Sequence, residues 1–491
     1  MKNDKVAVIG AGPAGLSAAY GLARRGVKVD VYEAEPVIGG LARTLTVWNQ
    51  RVGIGPQRFF SHDDRVNRLW YGLAGDDYTM LDRSEGILDD GHVYSSPPTL
   101  REVQSRLGMR EAIECVGSYL RERGRREDVK TLEDDLAHRF GPRLYERLMR
   151  PFQEKLWDTA CSELEKDFGD HCLRNLSLRT VLGNALMGHH RGRDRNLASR
   201  FPCPHDGPGM IYDRMRAEIE ARGGRVFTNA PIRRVVTASR RAVALELEDG
   251  KLRGFDHIVS TMPLSHLVSR MGGASIPIRA SAQSLQFRNT IFAYIKVESS
   301  DLFPQQCIYL PGSELSAGRV TNFRNFAPEI DGGDQSTILA LEYWCYDTDP
   351  KWKEADFTLL ATAAQDLRKS GLLGGAKISD GCILRVPRTY PVYRRAYKAN
   401  LSPVEDFLAS TAGLTVIGRS GSFKYNTQDH AILMGDLAAE NVAGAAAHNL
   451  WLLNPDYAPD AYAHTAKRPQ LTIVDGGLAS RPADVEVARA A

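Results

Sequence analysis

The chain opens with blocks of apolar residues separated by glycine-rich or polar turns, and these blocks predict a strand, a helix and a second strand in succession. The apolar run Val6 to Ile9 predicts the first strand. After a turn with three glycines, apolar residues recur at helical spacing, and a second apolar run ends at Glu33. Strand, helix and strand within so short a stretch indicate a βαβ unit with parallel strands.

The turn of this unit has the glycine spacing of a dinucleotide-binding loop. Gly10 permits the tight turn, Gly12 lets the backbone approach a pyrophosphate at the helix N-terminus, and Gly15 lets helix and strand pack closely. Glu33 follows Gly15 by eighteen residues and is placed to accept hydrogen bonds from an adenosine ribose. This acid argues against NADP, because it would repel the 2′-phosphate, and NAD and FAD remain. The residues assigned to the loop are Gly10, Gly12, Pro13, Ala14 and Gly15.

The segment after Glu33 favours FAD. Gly39, Gly40, Leu41 and Arg43 form a GG-x-x-R pattern that resembles the flavoprotein amine oxidase superfamily, in which this loop runs along the FAD pyrophosphate. Two glycines let the backbone come close to the cofactor, and the guanidinium offers fixed donors to phosphate. We therefore expect non-covalently bound FAD.

The resemblance extends over residues 5 to 445. Within the superfamily, the chain is similar to the UDP-galactopyranose mutase branch and to the bacterial FAD-dependent proteins grouped beside it. Several blocks in the same order carry the resemblance, which a single motif would not provide. They include GPQRFFSHDDRV (55–66), RPFQEKLWDTACSEL (150–164), RVTNFRNFAPE (319–329), LEYWCYDTDPKW (341–352), RVPRTYPVYRRAY (385–397) and GRSGSFKYNTQDHAILMG (418–435).

The resemblance implies a set of flavin contacts outside the N-terminal unit. Val235 would lie at the adenine end, and Gly418 and Arg419 would end a strand beside the pyrophosphate. A helix starting near Ala431 would point free N–H groups at the flavin. The implied contacts are Gly55, Pro56, Gln57, Val235, Gly418, Arg419, Asn426, Gln428, Asp429 and His430.

The resemblance also implies a chemistry. In a mutase of this type, reduced flavin N5 attacks the anomeric carbon of a nucleotide sugar, and the protein supplies cofactor geometry and a cationic clamp for the diphosphate. Arginines and tyrosines suit such a clamp. The candidate substrate-binding residues are Arg324, Tyr343, Arg388, Tyr390, Tyr393 and Arg394. The candidate catalytic residues are Gln57, Arg58, Tyr425 and His430.

One departure keeps a second reaction class open. The mutase pattern has histidine where this chain has Gln57, and a glutamine amide cannot change its protonation state near neutral pH. The alternative is an oxidoreductase in which FAD takes a hydride from a sugar, an amine or another small molecule and passes electrons to an acceptor. The mutase would instead need an external reductant. A third reading is a flavin-binding accessory protein without turnover.

Composition narrows the partners and the location. The chain has 491 residues, 43% hydrophobic and 25% charged, with a net charge of +3, and these values give no reason to expect nucleic acid as a partner. Seven cysteines without zinc spacing fit free thiols, and the adjacent side chains of His189 and His190 diverge, so we expect no metal. No apolar stretch is long enough to span a bilayer and no signal-peptide pattern is present, which predicts a cytoplasmic protein.

The flavin blocks recur at three places along the chain, so we expect interleaved domains. The predicted fold class is α/β, with a doubly wound, Rossmann-like FAD-binding domain interleaved with a mixed substrate domain of antiparallel sheet plus a helical insertion. The predicted segments are FAD-binding residues 1–75, 205–275 and 412–450, a helical insertion at 76–204, a substrate sheet at 276–411 and a tail at 451–491.

Overall fold

The computed structural model describes residues 5–96, 100–123, 128–172, 200–326 and 335–453. His189, His190 and all but the first three residues of the predicted tail lie outside these ranges. Within them, the chain forms one parallel sheet, one larger mixed sheet and three smaller sheets.

The parallel sheet carries the N-terminal unit. Its strands are β1 (Lys5–Ile9), β2 (Lys28–Tyr32), β9 (Arg225–Phe227), β13 (His257–Ser260) and β19 (Leu414–Val416). They lie in the order β19-β13-β1-β2-β9, and all four pairings are parallel. The apolar residues of β1 and β2 are buried at consecutive positions, as expected of parallel strands that are covered on both faces.

Three helices pack into the core of this sheet. They are α1 (Pro13–Arg24), α8 (Met210–Ala221) and α14 (Gln428–Val442). Gly435 lies so close to α1 that a Cβ there would be 2.3 Å from the Ala14 carbonyl oxygen, and Gly21 meets Ala439 one turn further along. The two helices therefore run in the same direction, and both N-termini lie at the same end of the sheet.

The second sheet is mixed and has seven strands. These are β6 (Glu85–Asp89), β7 (His92–Ser95), β14 (Phe287–Val297), β15 (Cys307–Tyr309), β16 (Arg319–Asn322), β17 (Thr337–Cys345) and β18 (Ile378–Pro391). Their order is β18-β14-β17-β16-β15-β6-β7. Leu341 and Tyr343 of β17 pack into a core with helix α12 (Asp356–Lys369), whereas Glu342 and Trp344 face the other way.

The remaining elements are short or peripheral. The other strands are β3 (Thr44–Val47), β4 (Gln50–Gly53), β5 (Tyr78–Asp82), β8 (Arg200–Pro204), β10 (Ile232–Ala238), β11 (Arg241–Leu247) and β12 (Leu252–Gly254). The other helices are α2 (Asp64–Ala74), α3 (Leu100–Arg123), α4 (Leu132–Phe140), α5 (Pro142–Leu144), α6 (Arg150–Trp157), α7 (Asp167–Cys172), α9 (Leu264–Ser269), α10 (Ile276–Ser284), α11 (Pro350–Lys353) and α13 (Tyr397–Ala409). A π-helical turn spans Tyr145–Met149.

The parallel sheet draws its strands from all three segments predicted for FAD binding. Residues 76–204, predicted as a helical insertion of the substrate domain, also contribute β6 and β7 to the second sheet. β15 pairs in parallel with β6, so the insertion supplies one edge of the substrate sheet. The segment boundaries themselves stay a prediction.

Six cysteines have side chains within the described part of the chain, and all six are free thiols. In that same part, no helix combines the length and apolar character needed to cross a membrane. Nor do the described residues bring together three histidine, cysteine or acidic side chains that could hold a metal ion.

Candidate active site

The glycine turn after β1 leaves a narrow gap in front of α1. Gly10 and Gly15 are fixed by packing, because a Cβ would lie 2.1 Å from Thr261 Oγ1 at Gly10 and 1.9 Å from the Gly10 carbonyl oxygen at Gly15. Gly12, the residue before α1, is different, since the nearest atom to a Cβ there would be the Cα of Gly40 at 3.8 Å. The space in front of Gly12 is therefore open to a ligand that approaches the helix N-terminus.

The GG-x-x-R segment forms the other wall of this gap. The Gly39 N–H donates to the Ala11 carbonyl at 2.7 Å, and Gly39 and Gly40 both have positive φ. A Cβ on Gly40 would lie 3.0 Å from the Gly12 Cα. Arg43 is held nearby, where its Nη1 donates to the Gly40 carbonyl at 3.0 Å. The glycine turns at Gly12 and Gly40 and the Arg43 guanidinium thus form a cradle that suits a pyrophosphate.

The adenine end of the site is marked by Glu33. Its Oε2 accepts the Ala11 N–H at 2.7 Å, and its backbone bonds to Phe227 and Ala230 on the neighbouring segment. The predicted adenine contact at Val235 stays a prediction. This side chain is fully buried, and its N–H donates to the Arg270 carbonyl at 2.9 Å.

The start of β10, at Ile232, follows Ala230 closely, and Ala230 N–H donates to the Glu33 carbonyl. Ile232 is also buried, and its carbonyl accepts Arg270 Nη1 at 3.0 Å. An adenine contact from β10 therefore stays a prediction.

The loop that carries Gln57 lies against the mixed sheet. Gly55 has positive φ, and a Cβ there would lie 2.9 Å from Glu342 Oε1, so Pro56 and its neighbours sit directly over β17. Gln57 Nε2 donates to the carbonyls of Leu41 at 2.6 Å and Ile54 at 3.0 Å. The amide therefore ties the loop to the cofactor cradle.

Gln57 also lines a cavity of about 570 Å³. Arg324 lies in the same lining, where its Nη1 donates to the Ser336 carbonyl at 3.1 Å. Aromatic walls are supplied by Trp48, Phe323 and Phe326. The structure thus brings Arg324 and Gln57 to one cavity.

Arg58, the next residue in the loop, is neutralised by a buried acid. Its guanidinium forms a close ion pair with Glu85, whose side chain is 1% exposed, and Arg83 Nε bonds the same carboxylate at 2.9 Å. Burial alone would raise the pKa of Glu85, but the charges of Arg58 and Arg83 outweigh it and hold the pKa below its usual range. Arg58 is therefore a fixed cation and cannot act as a proton donor.

Tyr390, Tyr425 and Arg419 form a compact cluster that the sequence expected only in part. The two tyrosine rings stack with centroids 5.4 Å apart, and the guanidinium lies 5.5 Å from the Tyr390 centroid and 5.2 Å from that of Tyr425. Arg419 also donates to the carbonyls of Asn426 at 2.7 Å and Thr389 at 3.2 Å. This arginine thus holds the last loop against β18.

Tyr393 stabilises this cluster through the backbone of Tyr425. Its hydroxyl accepts the Tyr425 N–H at 2.8 Å, and the residue is almost fully buried. Trp157 and Phe168 pack edge-on against Tyr425 from the helical insertion.

Three other predicted substrate residues lie elsewhere. Tyr343 is buried on the opposite face of β17, where its hydroxyl donates to Asp366 at 3.1 Å, so the prediction of a substrate contact is wrong. Arg388, at a position of positive φ, donates to Ser265 Oγ on α9 at 2.7 Å. Arg394 is bonded to Thr159 Oγ1 at 3.1 Å. Residues that are close in sequence near the end of β18 therefore contact different parts of the structure.

The last loop enters α14 earlier than expected. The helix begins at Gln428, three residues before Ala431, because Thr427 adopts the extended conformation of an N-cap residue. Asp429 and His430 therefore belong to the first helical turn, and both contact the Thr427 hydroxyl at 2.6 Å.

The other predicted contacts of this block also have defined places. Gln428 is the first residue of α14, and the Asn426 side chain turns toward Met434 Sδ at 3.8 Å. Gly418 has positive φ, and a Cβ there would lie 3.2 Å from that of Ala14 at the cradle.

Glu342 and Arg319, at the centre of the site, were not predicted from the sequence. Glu342 is fully buried, and its two carboxylate oxygens accept from Arg319 Nε at 2.8 Å and Nη2 at 2.6 Å. A signal was available, since Glu342 is the only charged residue in the apolar strand TILALEYWC. A charge in a buried strand is uncommon unless it is paired.

Comparisons with known proteins agree with this geometry. The model of the family described as flavin containing amine oxidoreductase matches residues 13–400. The chain belongs to this family. It is therefore an FAD-dependent enzyme, and the predicted cofactor is confirmed. The open space between Gly12 and Gly40 and the Glu33 carboxylate beside it are compatible with a pyrophosphate and a ribose.

Two curated relatives match over short stretches. The NADP(+)-dependent formate dehydrogenase subunit beta of Moorella thermoacetica is 73% identical over 37 residues, which are 8% of this chain and 5% of that protein. The putative oxidoreductase UacF of Escherichia coli (strain K12) is 62% identical over 40 residues, or 8% and 6%. Because the chain spans so little of either relative, their activities do not transfer to it.

Several solved structures share the whole fold. Reduced UDP-galactopyranose mutase superposes with a TM-score of 0.79 at 22% identity, covering 92% of this chain and 98% of that one. A putative protoporphyrinogen oxidase from Exiguobacterium sp. 255-15 gives 0.70 at 18% identity, covering 91% and 100%. A CLA-producing fatty acid isomerase from P. acnes gives 0.59 at 16%, covering 90% and 99%. Likeness at this identity concerns the fold, and it confirms the predicted fold class.

Proposed function

We propose that this enzyme binds a nucleotide sugar and rearranges its ring between the pyranose and furanose forms, with reduced FAD as cofactor. The cluster of Arg419, Tyr390 and Tyr425 carries the proposal, because a guanidinium against two stacked phenols offers donors and an apolar surface to a nucleotide diphosphate. The overall likeness to UDP-galactopyranose mutase supports the same reaction class.

The protein's part in this reaction is binding and orientation. Two N–H groups of Arg419 bond backbone carbonyls, which leaves three of its five for a phosphate. The pKa of Tyr390 is raised, chiefly by burial, so its hydroxyl stays protonated and can donate to an anionic oxygen. Bound reduced FAD supplies the nucleophile toward the anomeric carbon, so no protein nucleophile is needed.

Product analysis under two redox conditions tests the proposal. FAD-loaded protein is incubated with UDP-galactose, UDP-glucose and their N-acetyl analogues, with and without dithionite, and the products are separated by anion-exchange chromatography. We expect an isomeric UDP-sugar only after reduction, with no net change in the redox state of the flavin. Absence of an isomer from all four sugars, combined with bleaching of the oxidised flavin by any of them, would reject the mutase.

An FAD-dependent oxidoreductase is the second candidate, and the environment of Gln57 favours it. The amide is fixed between two backbone carbonyls, so this position supplies no titratable group beside the cofactor cradle. Hydride transfer to oxidised flavin needs orientation more than an acid at this position. Anaerobic mixing of the oxidised enzyme with sugar alcohols or amines, followed at the flavin absorbance, would show bleaching, and an electron acceptor would then restore the colour.

The electron partner and the location complete the proposal. A mutase needs an external reductant to prime the flavin, whereas an oxidase needs an acceptor. The six free thiols fit the reducing cytoplasm predicted from the sequence, which remains part of the proposal.

A further inference from the structure

The hairpin of β3 and β4 forms one wall of the cavity that Gln57 lines. Residues 46, 48–51 and 53 of the hairpin line this cavity, and the other walls come from residues within 203–208 and 323–326. In the described part of the chain, β3 and β4 pair only with each other. A two-stranded ribbon is marginally stable by itself, so side-chain contacts decide where this hairpin lies.

The base of the hairpin is anchored on both strands. At the start of β3, the Gly209 N–H donates to Thr44 Oγ1 at 2.8 Å. At the end of β4, the buried Tyr294 hydroxyl donates to the Gly53 carbonyl at 3.0 Å. The tip differs, because none of residues 46–51 is buried. The base therefore stays in place when the tip moves.

Two side-chain hydrogen bonds hold the tip against the mixed sheet. Trp48 Nε1 donates to Asp380 Oδ2 on β18 at 2.8 Å, and Gln50 Nε2 donates to Ser336 Oγ, just before β17, at 3.2 Å. The further contacts of the tip are an exposed ion pair of Arg51 with Asp206 and the half-buried packing of Val47 and Trp48 on an apolar core. An exposed ion pair adds little to stability. Few contacts therefore keep the tip closed over the cavity.

The turn at the tip has a conformation that is unfavourable for its sequence. Trp48 and Asn49 are its two central residues, and their φ values are 46° and 62°. Asparagine tolerates a positive φ, whereas a bulky side chain such as tryptophan is rarely found there. Such strain persists only where surrounding contacts offset it. Breaking the bond between Trp48 and Asp380 would allow the turn to relax.

We propose that the β3–β4 hairpin is a lid over the Gln57 cavity, closed by the hydrogen bond from Trp48 to Asp380, and that it opens to admit a small-molecule ligand. The cavity, about 570 Å³, has the size of a small-molecule site. It also reaches the cofactor side, because the Gln57 amide donates to the Leu41 carbonyl in the GG-x-x-R segment. A lid controls access and not chemistry, so this inference holds for either of the two reaction classes proposed above.

A cysteine in the cavity lining reports whether the lid opens. Cys203 is a free thiol, and its Sγ contacts the Phe326 carbonyl at 3.0 Å inside the cavity. FAD-loaded protein is treated with N-ethylmaleimide, and the modification of each cysteine is followed by peptide mass spectrometry. When closing is faster than modification, the rate at Cys203 is proportional to the open fraction.

Two single variants remove the same hydrogen bond from opposite sides. Trp48→Phe keeps an aromatic ring but loses the N–H donor, and Asp380→Ala loses the acceptor. A hydrogen bond to a charged group corresponds to a factor of about ten, so Cys203 should react about tenfold faster in each variant. The double variant should also react about tenfold faster, because both changes remove one interaction. Trp352→Phe, on α11, is the matched control and should leave the rate unchanged.

The proposal is overturned if the rate at Cys203 is unchanged in both single variants. A hundredfold increase in the double variant would overturn it as well, because the two side chains would then act independently. Cys307, which is 1% exposed, separates local opening from unfolding. It should stay unmodified in every variant, and modification in parallel with Cys203 would mean that the whole protein unfolds and that the lid is wrong. No substrate takes part, so an enzyme that fails to rearrange UDP-sugars would leave this result unaffected.

Discussion

Replacing glycine by alanine should weaken FAD binding at one position of the cofactor turn and destabilise the fold at another. At Gly12, φ is −81° and ψ is −176°, a conformation open to alanine, and the added methyl would touch nothing closer than 3.8 Å. At Gly15, the methyl would lie 1.9 Å from the Gly10 carbonyl oxygen. Gly10 cannot move aside, because its N–H is bonded to the Tyr32 carbonyl at 2.8 Å.

These distances give different magnitudes for folding and for FAD binding. Gly12→Ala should change the free energy of unfolding of the flavin-free protein by no more than about 1 kcal/mol. Its methyl fills the gap in front of α1 and removes at least one charged hydrogen bond to the pyrophosphate, about 1.5–3 kcal/mol, so FAD should bind about 10- to 150-fold more weakly. Gly15→Ala overpacks the helix against the strand and should cost about 3 kcal/mol or more in stability.

The assay combines urea unfolding of flavin-free protein with FAD titration by flavin fluorescence. Gly72→Ala on α2, where a Cβ meets nothing within 4 Å, is the control and should stabilise the fold slightly without changing FAD affinity. The reasoning about the cradle would be refuted if Gly12→Ala bound FAD as the wild type does. It would equally be refuted if Gly12→Ala lost as much stability as Gly15→Ala.

Three further predictions concern stability and the last loop. Burial lowers the pKa of His257 to about 4, so below pH 6.5 the unfolded chain binds a proton that the folded chain does not. The free energy of unfolding should therefore fall by up to about 3 kcal/mol between pH 6.5 and pH 4. The same pH dependence of stability in His257→Gln would contradict this. Lys155 Nζ lies within hydrogen-bond distance of four backbone carbonyls in residues 310–317, so Lys155→Met should lower the free energy of urea unfolding by about 3 kcal/mol. Arg419→Ala should reduce the flavin-to-protein absorbance ratio after gel filtration, whereas Arg394→Ala should leave it unchanged.

Local patterns were enough to predict the cofactor half of the molecule. The turn from Gly10 to Gly15 and the acid at Glu33 are close in sequence, and each glycine has a backbone reason that holds in any βαβ unit. The contact of β10 with the adenine is harder to predict. Ile232 and Val235 are both apolar and buried, and sequence alone does not show which of them lies nearer the segment after β9.

The substrate-binding half was harder to predict from the sequence. Its side chains depend on which face of a strand each residue occupies and on contacts between residues far apart in the chain. β17 is apolar at nearly every position, so its sequence fits either face, and the predicted Tyr343 lies on the face opposite Glu342 and Trp344. Tyr390 and Tyr393 are three apart and cannot share a face of an ideal strand. Both nevertheless meet Tyr425, because β18 ends at Pro391 between them.

The charged groups around the Gln57 loop are held in ion pairs. Arg58 and Arg83 keep the Glu85 carboxylate ionised, Arg319 engages both oxygens of Glu342, and Gln57 is an amide. These groups can bind and orient a ligand. Histidine is the residue type that transfers protons near neutral pH, and His205 lies in the cavity lining while His430 lies in the first turn of α14. A ring rearrangement or a hydride transfer at the flavin makes small demands of that kind, whereas a hydrolytic reaction would need a general base. Redox balance, more than pH dependence, is consequently the measurement that separates the two remaining functions.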